Sequence, residues 1–264
     1  MIDKSLPYVC PLCKSNLLLS NMIYSCQSCQ RQYFIINDIP NLLIESESES
    51  KKSTNVSGMF DKIAKFYETK LVYLITYHVL AGLKIPSVKE LIGKVMDRID
   101  THRGIILDIA CGTGIYTRSI AKIATKVFGI DISQRMLEQA KKLTEKEGLT
   151  NIYLSKADAE KLPFSDNYFD AICCSGALHY FTNTYKALKE MRRVLKPNSP
   201  LIVMTLIRRR FLKYKIVYEH LEGDHGAHVF KFNELMRLLE KVGFKNVLSE
   251  VYGSMLLFSA MKKI

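Results

Sequence analysis

A glycine-rich turn between an apolar run and a helical pattern constrains the fold of this chain more than any other feature. Residues 105–114 read IILDIACGTG, and a helical pattern begins at Ile115. Only a turn without bulky side chains lets a ligand lie against the backbone at the carboxyl edge of a sheet. Thr117 stands where GxGxxG needs its third glycine, and no Gly-Lys-Ser/Thr of a phosphate-binding loop occurs. The turn therefore predicts a nucleotide ligand and argues against hydride and phosphoryl transfer.

Apolar runs alternate with amphipathic helical patterns after Arg103, which indicates βα units and a parallel sheet of the α/β class. Strands are predicted at Ile105–Ala110, Lys126–Ile130, Ile152–Ser155, Ala171–Ser175 and Leu201–Leu206. Helices are predicted at Ile115–Ala124, Gln134–Glu147, Asn183–Leu195 and Phe232–Val242. Two last strand-like runs, Val247–Val251 and Met255–Met261, predict a closing antiparallel pair.

Acidic residues end three successive predicted strands. Asp108 suits a cationic or zwitterionic ligand, such as the methionyl part of S-adenosylmethionine, and would repel a pyrophosphate. Asp131 ends the next strand, where an acid can accept both ribose hydroxyls. Asp158 follows the third strand and suits an adenine amino group. Any one of these acids alone is more often a helix cap or a turn residue, but together they predict a cofactor site.

Four cysteines near the N-terminus form two close pairs, Cys10-x2-Cys13 and Cys26-x2-Cys29, separated by twelve residues. Four thiolates satisfy tetrahedral zinc with no open position, so the predicted site is structural. Disulfides are the alternative, and a reducing compartment argues against them. Because zinc would replace a core in so short a segment, we expect the segment to unfold on chelation. Tyr8 to Leu43 resembles the zinc ribbon of the tRNA-methyltransferase activator family.

The composition divides the chain into regions. Residues 1–44 form the predicted zinc ribbon, and 45–58, which contain the run ESESESKKSTNVS, form a predicted polar linker. The main domain is predicted at 59–264. Within it, 59–103 are predicted to form N-terminal helices and 207–229 a lid-like insertion.

Several motifs of the main domain resemble the class I S-adenosylmethionine-dependent methyltransferases, specifically the type 11 group that includes the ubiquinone and menaquinone biosynthesis C-methyltransferases. The resembling segments are FDKIAKFY, DIACGTG, GIDIS with Met136, ADAEKLPFSDNYFD, AICCSGALHYF and EMRRVLKP. This resemblance implies a Rossmann-like seven-stranded sheet of order 3-2-1-4-5-7-6, with helices on both faces and strand 7 antiparallel.

The resemblance also implies the positions of the cofactor-binding residues. It places Asp131 at the ribose, Met136 against the adenine, Asp158 and Ala159 at the adenine edge, and Ser175 near the methionyl amino group. The complete predicted set is Tyr67, Asp108, Ala110, Gly112, Gly114, Asp131, Ile132, Met136, Asp158, Ala159 and Ser175. Ala110 departs from the usual first glycine of the turn, and we expect slight crowding of the cofactor there. Asn198-Ser199 replaces the glycine pair that usually follows the Lys-Pro of EMRRVLKP.

One histidine is the candidate catalytic residue. His179 lies just past the fourth strand, where a neutral imidazole could accept a proton near pH 7, although it could also only shape the pocket. The insertion contains His220, Asp224, His225 and His228, which suit a lid that binds the acceptor, a plain loop or, least of all, a second metal site.

Two absences narrow the chemistry. The run from Ser175 to Leu178 lacks the Asn/Asp-Pro-Pro-Tyr of enzymes that methylate exocyclic base amines. Cys173 and Cys174 lack a Pro-Cys context, so a cytosine-attacking thiolate is disfavoured, and both are predicted in the core.

The charge balance bears on partners. The chain has 38 basic and 26 acidic residues, a net charge of +12, and the stretch from Lys186 to Lys215 holds ten basic residues against one acidic residue. Such a surface attracts polyanions, although a solvated helix face beside a basic loop is an equal explanation. The run Leu71–Leu83 is too short to span a bilayer, and the N-terminus lacks the apolar region of a secretory signal. We therefore expect a cytoplasmic protein without a membrane span.

Three functions remain open from the sequence. The first is transfer of a methyl group from S-adenosylmethionine to a small organic acceptor. The second is RNA methylation, since a zinc ribbon ahead of a class I domain resembles the 23S rRNA guanine-N1 methyltransferases. That family, however, tends to place histidine where this chain has its fourth cysteine. The third is a non-catalytic module that binds the cofactor, against which the intact set of acids argues.

Overall fold

The computed structural model describes most of the chain. The described residues are 6–44, 51–69, 86–99, 104–209, 218–219, 222–223 and 226–263. Part of the predicted N-terminal helices and most of the basic end of the insertion lie outside these ranges. So do His220, Asp224 and His225 of the insertion and Arg210, Lys213 and Lys215 of the basic stretch.

The N-terminal segment forms a small antiparallel sheet of four strands in chain order. The strands are β1 (Leu17–Ser20), β2 (Ile23–Cys26), β3 (Gln32–Ile36) and β4 (Ile39–Pro40). The hairpin turns at 21–22 and 37–38 each have two residues with positive φ. That geometry matches the right-handed twist of the flanking strands, and asparagine and aspartate tolerate it well. With the four cysteines, this sheet fits a zinc ribbon, as the sequence predicts.

Two helices precede the main sheet within the described residues: α1 (Lys51–Ile63) and α2 (Val88–Ile99). The first helix corrects the predicted linker at 45–58, because the chain is already helical from Lys51. Val56 and Ala64 are buried, and α1 contacts the helix at Gln134–Lys146. Apolar residues at helical spacing therefore continue into the polar run and give it a surface to bury.

The main sheet has seven strands and helices between them. Its strands are β5 (Ile105–Ile109), β6 (Lys126–Asp131), β7 (Ile152–Lys156), β8 (Ala171–Ser175), β9 (Pro200–Leu206), β10 (Phe244–Tyr252) and β11 (Met255–Lys262). Its helices are α3 (Ile115–Ala121), α4 (Gln134–Lys146), α5 (Thr184–Val194) and α6 (Phe232–Val242). The strand order is β7-β6-β5-β8-β9-β11-β10, and β11 is antiparallel to both neighbours. The predicted order 3-2-1-4-5-7-6, counted from β5, is confirmed.

Both faces of this sheet are buried. Along β5, Ile106 belongs to the core on the side of α2 and α3, whereas Leu107 belongs to the core on the side of α5 and α6. Neighbouring side chains of a strand point to opposite faces, so each face needs its own helical layer. The predicted helices on both faces are confirmed. Among the described residues, no helix is long and apolar enough to cross a bilayer.

The ribbon shares its core with the main domain. Tyr8 is buried, and its ring lies 5.6 Å from the ring of Phe164 and 6.4 Å from that of Phe128. The ribbon also extends the sheet at its β7 edge, where Asn41 pairs with Lys156 in a parallel bridge. From the sequence alone, zinc is expected to replace a hydrophobic core in the ribbon. The structure adds an apolar contact with the domain, which follows from the aromatic residues that flank the cysteines.

We predict that the Tyr8→Ala variant lowers the free energy of unfolding of the whole chain by about 2–4 kcal/mol. The substitution removes a large buried ring and leaves a cavity between the ribbon and the domain. Urea unfolding monitored by tyrosine fluorescence and by circular dichroism measures the loss. Leu18→Ala is the control, because Leu18 belongs to the ribbon but its side chain is exposed. An equal, small effect of both substitutions would contradict the shared core.

Candidate active site

The site lies where the sheet changes direction. From β5 the chain continues to β6 on one side, whereas β8 pairs with β5 on the other side, and all three strands are parallel. Ligands of such sheets bind outside the carboxyl ends of the strands at this point. The turns after β5, β6 and β8 therefore form the candidate site, and the predicted site residues from 108 to 175 lie in or beside these turns or the one after β7.

The turn after β5 has three residues in the left-handed region. Ala110, Gly112 and Gly114 have φ angles of 54°, 55° and 81°. An alanine in this region is strained, so the replacement of the usual first glycine by Ala110 has an energetic cost. A β-carbon at Gly112 would have no neighbour within 4 Å, so open space adjoins the backbone there. At Gly114 it would lie 3.3 Å from the β-carbon of Ala140, so this glycine permits close packing on α4.

The Asp131 carboxylate joins the turns after β5 and β6. Its Oδ2 accepts a hydrogen bond from the backbone N–H of Gly112 at 2.9 Å, and its Oδ1 accepts one from that of Ser133 at 2.8 Å. Asp131 is buried, and burial raises its pKa although these two bonds favour the charged form. Both carboxylate oxygens keep further acceptor capacity for a ligand.

Asp108 is more deeply buried than Asp131. It is 1% exposed, and its Oδ2 accepts a hydrogen bond from the Thr117 hydroxyl at 2.6 Å. Burial raises the pKa of Asp108 to about 7, and the nearby Asp131 carboxylate raises it further in the same direction. Asp108 therefore lies under the glycine-rich turn as an acid that exchanges its proton near neutral pH.

Two predicted adenine residues are held by local hydrogen bonds. Met136 is buried, and its backbone N–H binds the Oγ of Ser133, which caps α4. After β7, the Oδ1 of Asp158 accepts the backbone N–H of Glu160 at 2.8 Å, and Ala159 is buried beside it. Ile132 is half-buried in the turn after β6.

The turn after β8 places Ser175 and His179 on the other side of the site. Ser175 is half-buried, with its Oγ 3.4 Å from the Sγ of Cys173. His179 lies in a 3₁₀ turn (Leu178–Tyr180), and its Nδ1 is 3.3 Å from the Oγ1 of Thr205. Burial lowers the pKa of His179 to about 3, so its imidazole is neutral at physiological pH and is a weak base.

The end of α1 and the turn after it, residues 60–69, cover the glycine-rich turn, and we call them the cover segment. Asp61 accepts a hydrogen bond from the Ser133 hydroxyl. Glu68 accepts bonds from the Thr113 hydroxyl and from the Arg118 guanidinium, the latter at 2.8 Å. The buried Arg118 also binds a carboxylate oxygen of Glu147 at 2.7 Å. These contacts leave no pattern in the sequence, because Glu68 and Asp61 lie 45 to 72 residues from their partners.

An aromatic group lies between the cover segment and the turn after β8. The ring of Phe60 is 6.2 Å from that of Tyr67 and 5.6 Å from that of Tyr180, both in edge-to-face geometry. The Tyr180 ring is 4.3 Å from the His179 ring. Tyr67, predicted at the cofactor, is thus joined to the predicted catalytic histidine through a chain of rings. The arrangement offers an apolar, aromatic surface to a ligand.

The four predicted metal ligands come together in the ribbon. The Sγ atoms of Cys10 and Cys29 are 3.6 Å apart, those of Cys13 and Cys26 are 3.4 Å apart, and all four lie within 4.8 Å of one another. Zinc–sulfur bonds of about 2.3 Å in a tetrahedron place sulfurs about 3.8 Å apart. The cluster therefore fits a structural zinc ion with no open position.

Three of the ten basic residues of the stretch form ion pairs within the described part of the fold. Arg193 binds Glu190 at 2.7 Å and Asp166 at 2.8 Å, Lys196 binds Asp170 at 2.6 Å, and Arg208 binds Glu222. Arg193 also donates to two backbone carbonyls. Arg193 and Lys196 thus hold the end of α5 against its neighbours, and these ion pairs leave less free charge for a polyanion than the sequence suggests.

Comparison with known proteins identifies the family of this chain. Residues 107–203 match the methyltransferase domain family. The ubiquinone/menaquinone biosynthesis C-methyltransferase UbiE of Burkholderia mallei is 34% identical over 191 residues, covering 71% of this chain and 71% of that protein. The chain belongs to this methyltransferase family. The resemblance predicted from the sequence motifs is confirmed.

Solved structures agree on the fold of this methyltransferase. A possible histamine N-methyltransferase from Thermotoga maritima has a TM-score of 0.59 at 24% identity, covering 78% of this chain and 99% of that chain. Phosphoethanolamine N-methyltransferase 2 of Haemonchus contortus, solved with S-adenosyl-L-methionine, has a TM-score of 0.60 at 16% identity, covering 78% and 60%. Their names point to different acceptors, in keeping with the rule that one fold can serve many substrates.

The methyltransferase site fits S-adenosylmethionine as its cofactor. A β-carbon at Gly176, as at Gly112, would have no neighbour within 4 Å, so the backbone on both sides of the site is open to a ligand. The acids suit a ligand that carries ribose hydroxyls and positive charge. The cofactor predicted from the three acids is therefore supported by the open backbone and by the family.

We predict that the Asp131→Ala variant weakens binding of S-adenosylhomocysteine by more than about 1 kcal/mol, because charge-assisted hydrogen bonds to the ligand are lost and the two turns are released from each other. Isothermal titration calorimetry measures the affinity. Asp97→Ala is the control, because Asp97 is exposed on α2. Unchanged affinity of the Asp131 variant would refute its assignment to the site.

We predict that the Asp108→Asn variant is more stable than the natural chain at pH 8 and equally stable near pH 4. With the pKa of Asp108 raised to about 7, the folded state keeps a proton that the unfolded chain loses near pH 4. The free energy of unfolding from this group therefore falls as pH rises from about 4 to 7 and is constant above. A pKa difference of about three corresponds to about 4 kcal/mol, an upper bound for the gain.

Asparagine keeps an oxygen for the Thr117 hydroxyl, so the comparison isolates the ionisation. Urea unfolding of the cofactor-free protein at pH 4, 6 and 8 measures the difference, with Asp97→Asn as the control. A difference that stays constant across the three pH values would show that Asp108 does not titrate in this window.

Proposed function

We propose that this methyltransferase transfers the methyl group to a ring carbon of a small aromatic acceptor of the quinol type. The aromatic surface formed by Phe60, Tyr67 and Tyr180 carries the proposal, because it suits a flat apolar ring. The name of the Burkholderia relative, a ubiquinone/menaquinone biosynthesis C-methyltransferase, points to the same class.

The proposed position of the cofactor follows the carboxyl ends of the strands. The Asp131 carboxylate would bind the ribose hydroxyls, and Met136 would contact the adenine face. Asp158 and Ala159 would lie at the adenine edge, and Ser175 near the methionyl amino group. When bound, the cofactor would supply a methyl group on a positively charged sulfur, and in-line positioning by these residues would provide much of the acceleration. The sulfur–methyl bond breaks as the bond to the ring carbon forms, S-adenosylhomocysteine is released, and the proton of that ring carbon passes to water.

His179 has a proposed role beside the acceptor. Its imidazole is neutral, and its low pKa makes it a poor acceptor for the proton of an alcohol or an ammonium group. A quinol hydroxyl is more acidic than an alcohol and donates a hydrogen bond to the neutral imidazole, which strengthens as positive charge develops on the ring. A buried neutral imidazole carries no charge to pair with an ammonium, so the site favours a neutral phenolic acceptor over a charged amine.

The RNA alternative receives less support from the structure. Arg193, Lys196 and Arg208 of the basic stretch form ion pairs within the chain, so they contribute little to a phosphate-binding surface. The aromatic group beside His179 lies in the site rather than between exposed arginines. RNA is therefore the alternative substrate in the labelling experiment below.

We predict that the protein labels a quinol rather than RNA. Radiolabelled S-adenosylmethionine is incubated with the protein and either a reduced naphthoquinone with a short isoprenoid chain or ribosomal RNA. Label in the solvent-extracted quinol is expected, and label confined to RNA would overturn the proposal. Tyr180→Ala should raise the acceptor KM several-fold with an unchanged cofactor affinity, since it removes an aromatic contact. Tyr185→Ala, on the exposed side of α5, is the matched control.

A further inference from the structure

The loop that follows β7, residues 157–164, carries the proposed adenine residues, and we call it the adenine loop. Its start is tied to the site because the backbone N–H of Ala157 binds the carbonyl of Asp131 at 3.0 Å. Asp158 then closes a turn by accepting backbone N–H groups of Glu160 and Lys161. The position of Asp158 therefore depends on how the two ends of this loop are held.

The ribbon holds the adenine loop near both ends. At its start, the backbone N–H of Leu42 donates to the carbonyl of Lys156 at 2.8 Å. At its end, the backbone N–H of Val9 donates to the carbonyl of Pro163 at 3.0 Å, beside the bridge between Tyr8 and Phe164. The Lys14 ammonium donates to the carbonyl of Leu162 at 3.1 Å. These bonds supply donors to backbone carbonyls at both ends of the loop, and the Leu162 carbonyl shares its ribbon donor with Arg193.

Two of the three donors flank the first cysteine pair. Val9 precedes Cys10, and Lys14 follows Cys13. The backbone N–H of Lys14 binds the carbonyl of Cys10 at 2.9 Å, and Lys14 has a φ of 62°, so the turn of the cysteine pair sets the direction of its side chain. The ammonium is then fixed by Glu190 on α5, at 2.8 Å. Glu190 is mostly buried, which makes this ion pair less screened than a surface pair.

We infer that the first cysteine pair of the ribbon positions the adenine loop, with Val9 and Lys14 as positioning residues, so that affinity for adenine-containing ligands depends on the ribbon. This inference rests on the proposed placement of the adenine beside Asp158 and Ala159. A zinc ion held by the cysteines would act on the cofactor site through this contact without touching the cofactor. The ribbon would therefore influence cofactor binding indirectly, through the adenine loop.

Another ion pair between the ribbon and the domain provides a matched control. Lys141 on α4 binds the Asp38 carboxylate of the ribbon at 2.6 Å and the Asn37 carbonyl at 3.2 Å, and these residues lie outside the adenine loop. Lys14→Met and Lys141→Met each remove one ammonium that makes two bonds between the ribbon and the domain. In Lys14→Met the Leu162 carbonyl keeps its bond from Arg193 at 3.0 Å, so we expect the variant to fold.

We predict that Lys14→Met weakens binding of S-adenosylhomocysteine and of 5′-methylthioadenosine by the same factor, on the order of fivefold to tenfold. Both ligands contain the adenine, which is the part that the loop holds. The KM for S-adenosylmethionine should rise with kcat unchanged, since the reacting atoms are not moved. Lys141→Met should leave both affinities unchanged. Calorimetry gives the affinities, and thermal melts show that both variants are folded.

The zinc arm uses the full chain. Incubation with a chelator should lower the affinity for 5′-methylthioadenosine, and added zinc should restore it. Unchanged affinities in Lys14→Met, an equal loss in Lys141→Met, or a loss limited to S-adenosylhomocysteine would each overturn the inference. A natural chain that binds S-adenosylhomocysteine but not 5′-methylthioadenosine would instead refute the proposed adenine placement, which separates the two failures.

Discussion

The geometry of the site depends on one carboxylate that binds two backbone N–H groups. Asp131 connects Gly112 in the first turn with Ser133 in the second, so the two turns cannot move apart without losing a charge-assisted bond. A buried charge is costly unless it is hydrogen-bonded, and these donors offset that cost. The Gly112 bond, together with the bond from the Cys111 N–H to the Ile130 carbonyl at 2.9 Å, holds the turn that contains the strained Ala110 and the open Gly112.

The neighbouring acids differ because their donors differ. Asp131 receives the backbone N–H groups of Gly112 and Ser133, whereas the hydrogen bonds of Asp108 come from Thr117 alone, and the nearby Asp131 carboxylate disfavours a second negative charge. With fewer donors and deeper burial, Asp108 has the pKa near 7. A cation bound near this turn favours the ionised form of Asp108. If the sulfonium binds beside Asp108 as proposed, the raised pKa of this buried acid predicts that cofactor binding releases a proton in the neutral range.

Local sequence patterns predict most of the helices and strands, whereas the features that they do not predict depend on contacts between distant residues. Ala171–Ser175 and Phe232–Val242 have the bounds that the sequence predicts, since an apolar run or a terminal glycine marks each end. The strand Phe244–Tyr252 is longer than predicted, because an edge strand carries polar residues that interrupt the apolar alternation. The contact of Glu68 with Arg118 and the burial of His179 leave no local pattern. A histidine that suggested a base near pH 7 is, once buried, a weak one.

The boundary drawn from composition is not the boundary of the packed core. A segment of some forty residues buries too little surface to be stable alone, and β7 is an edge strand whose open side would invite pairing with other chains. Contact between the ribbon and the domain removes both weaknesses. Asn41 pairs with the open edge of β7, and the Tyr8 ring packs against Phe128 and Phe164, which adds buried surface to the ribbon. The cysteines fix the turns of the ribbon, and the domain provides the apolar surface that the ribbon lacks. The four-cysteine cluster and the main sheet are therefore parts of one continuous packed structure, and the adenine loop lies where the ribbon meets the sheet.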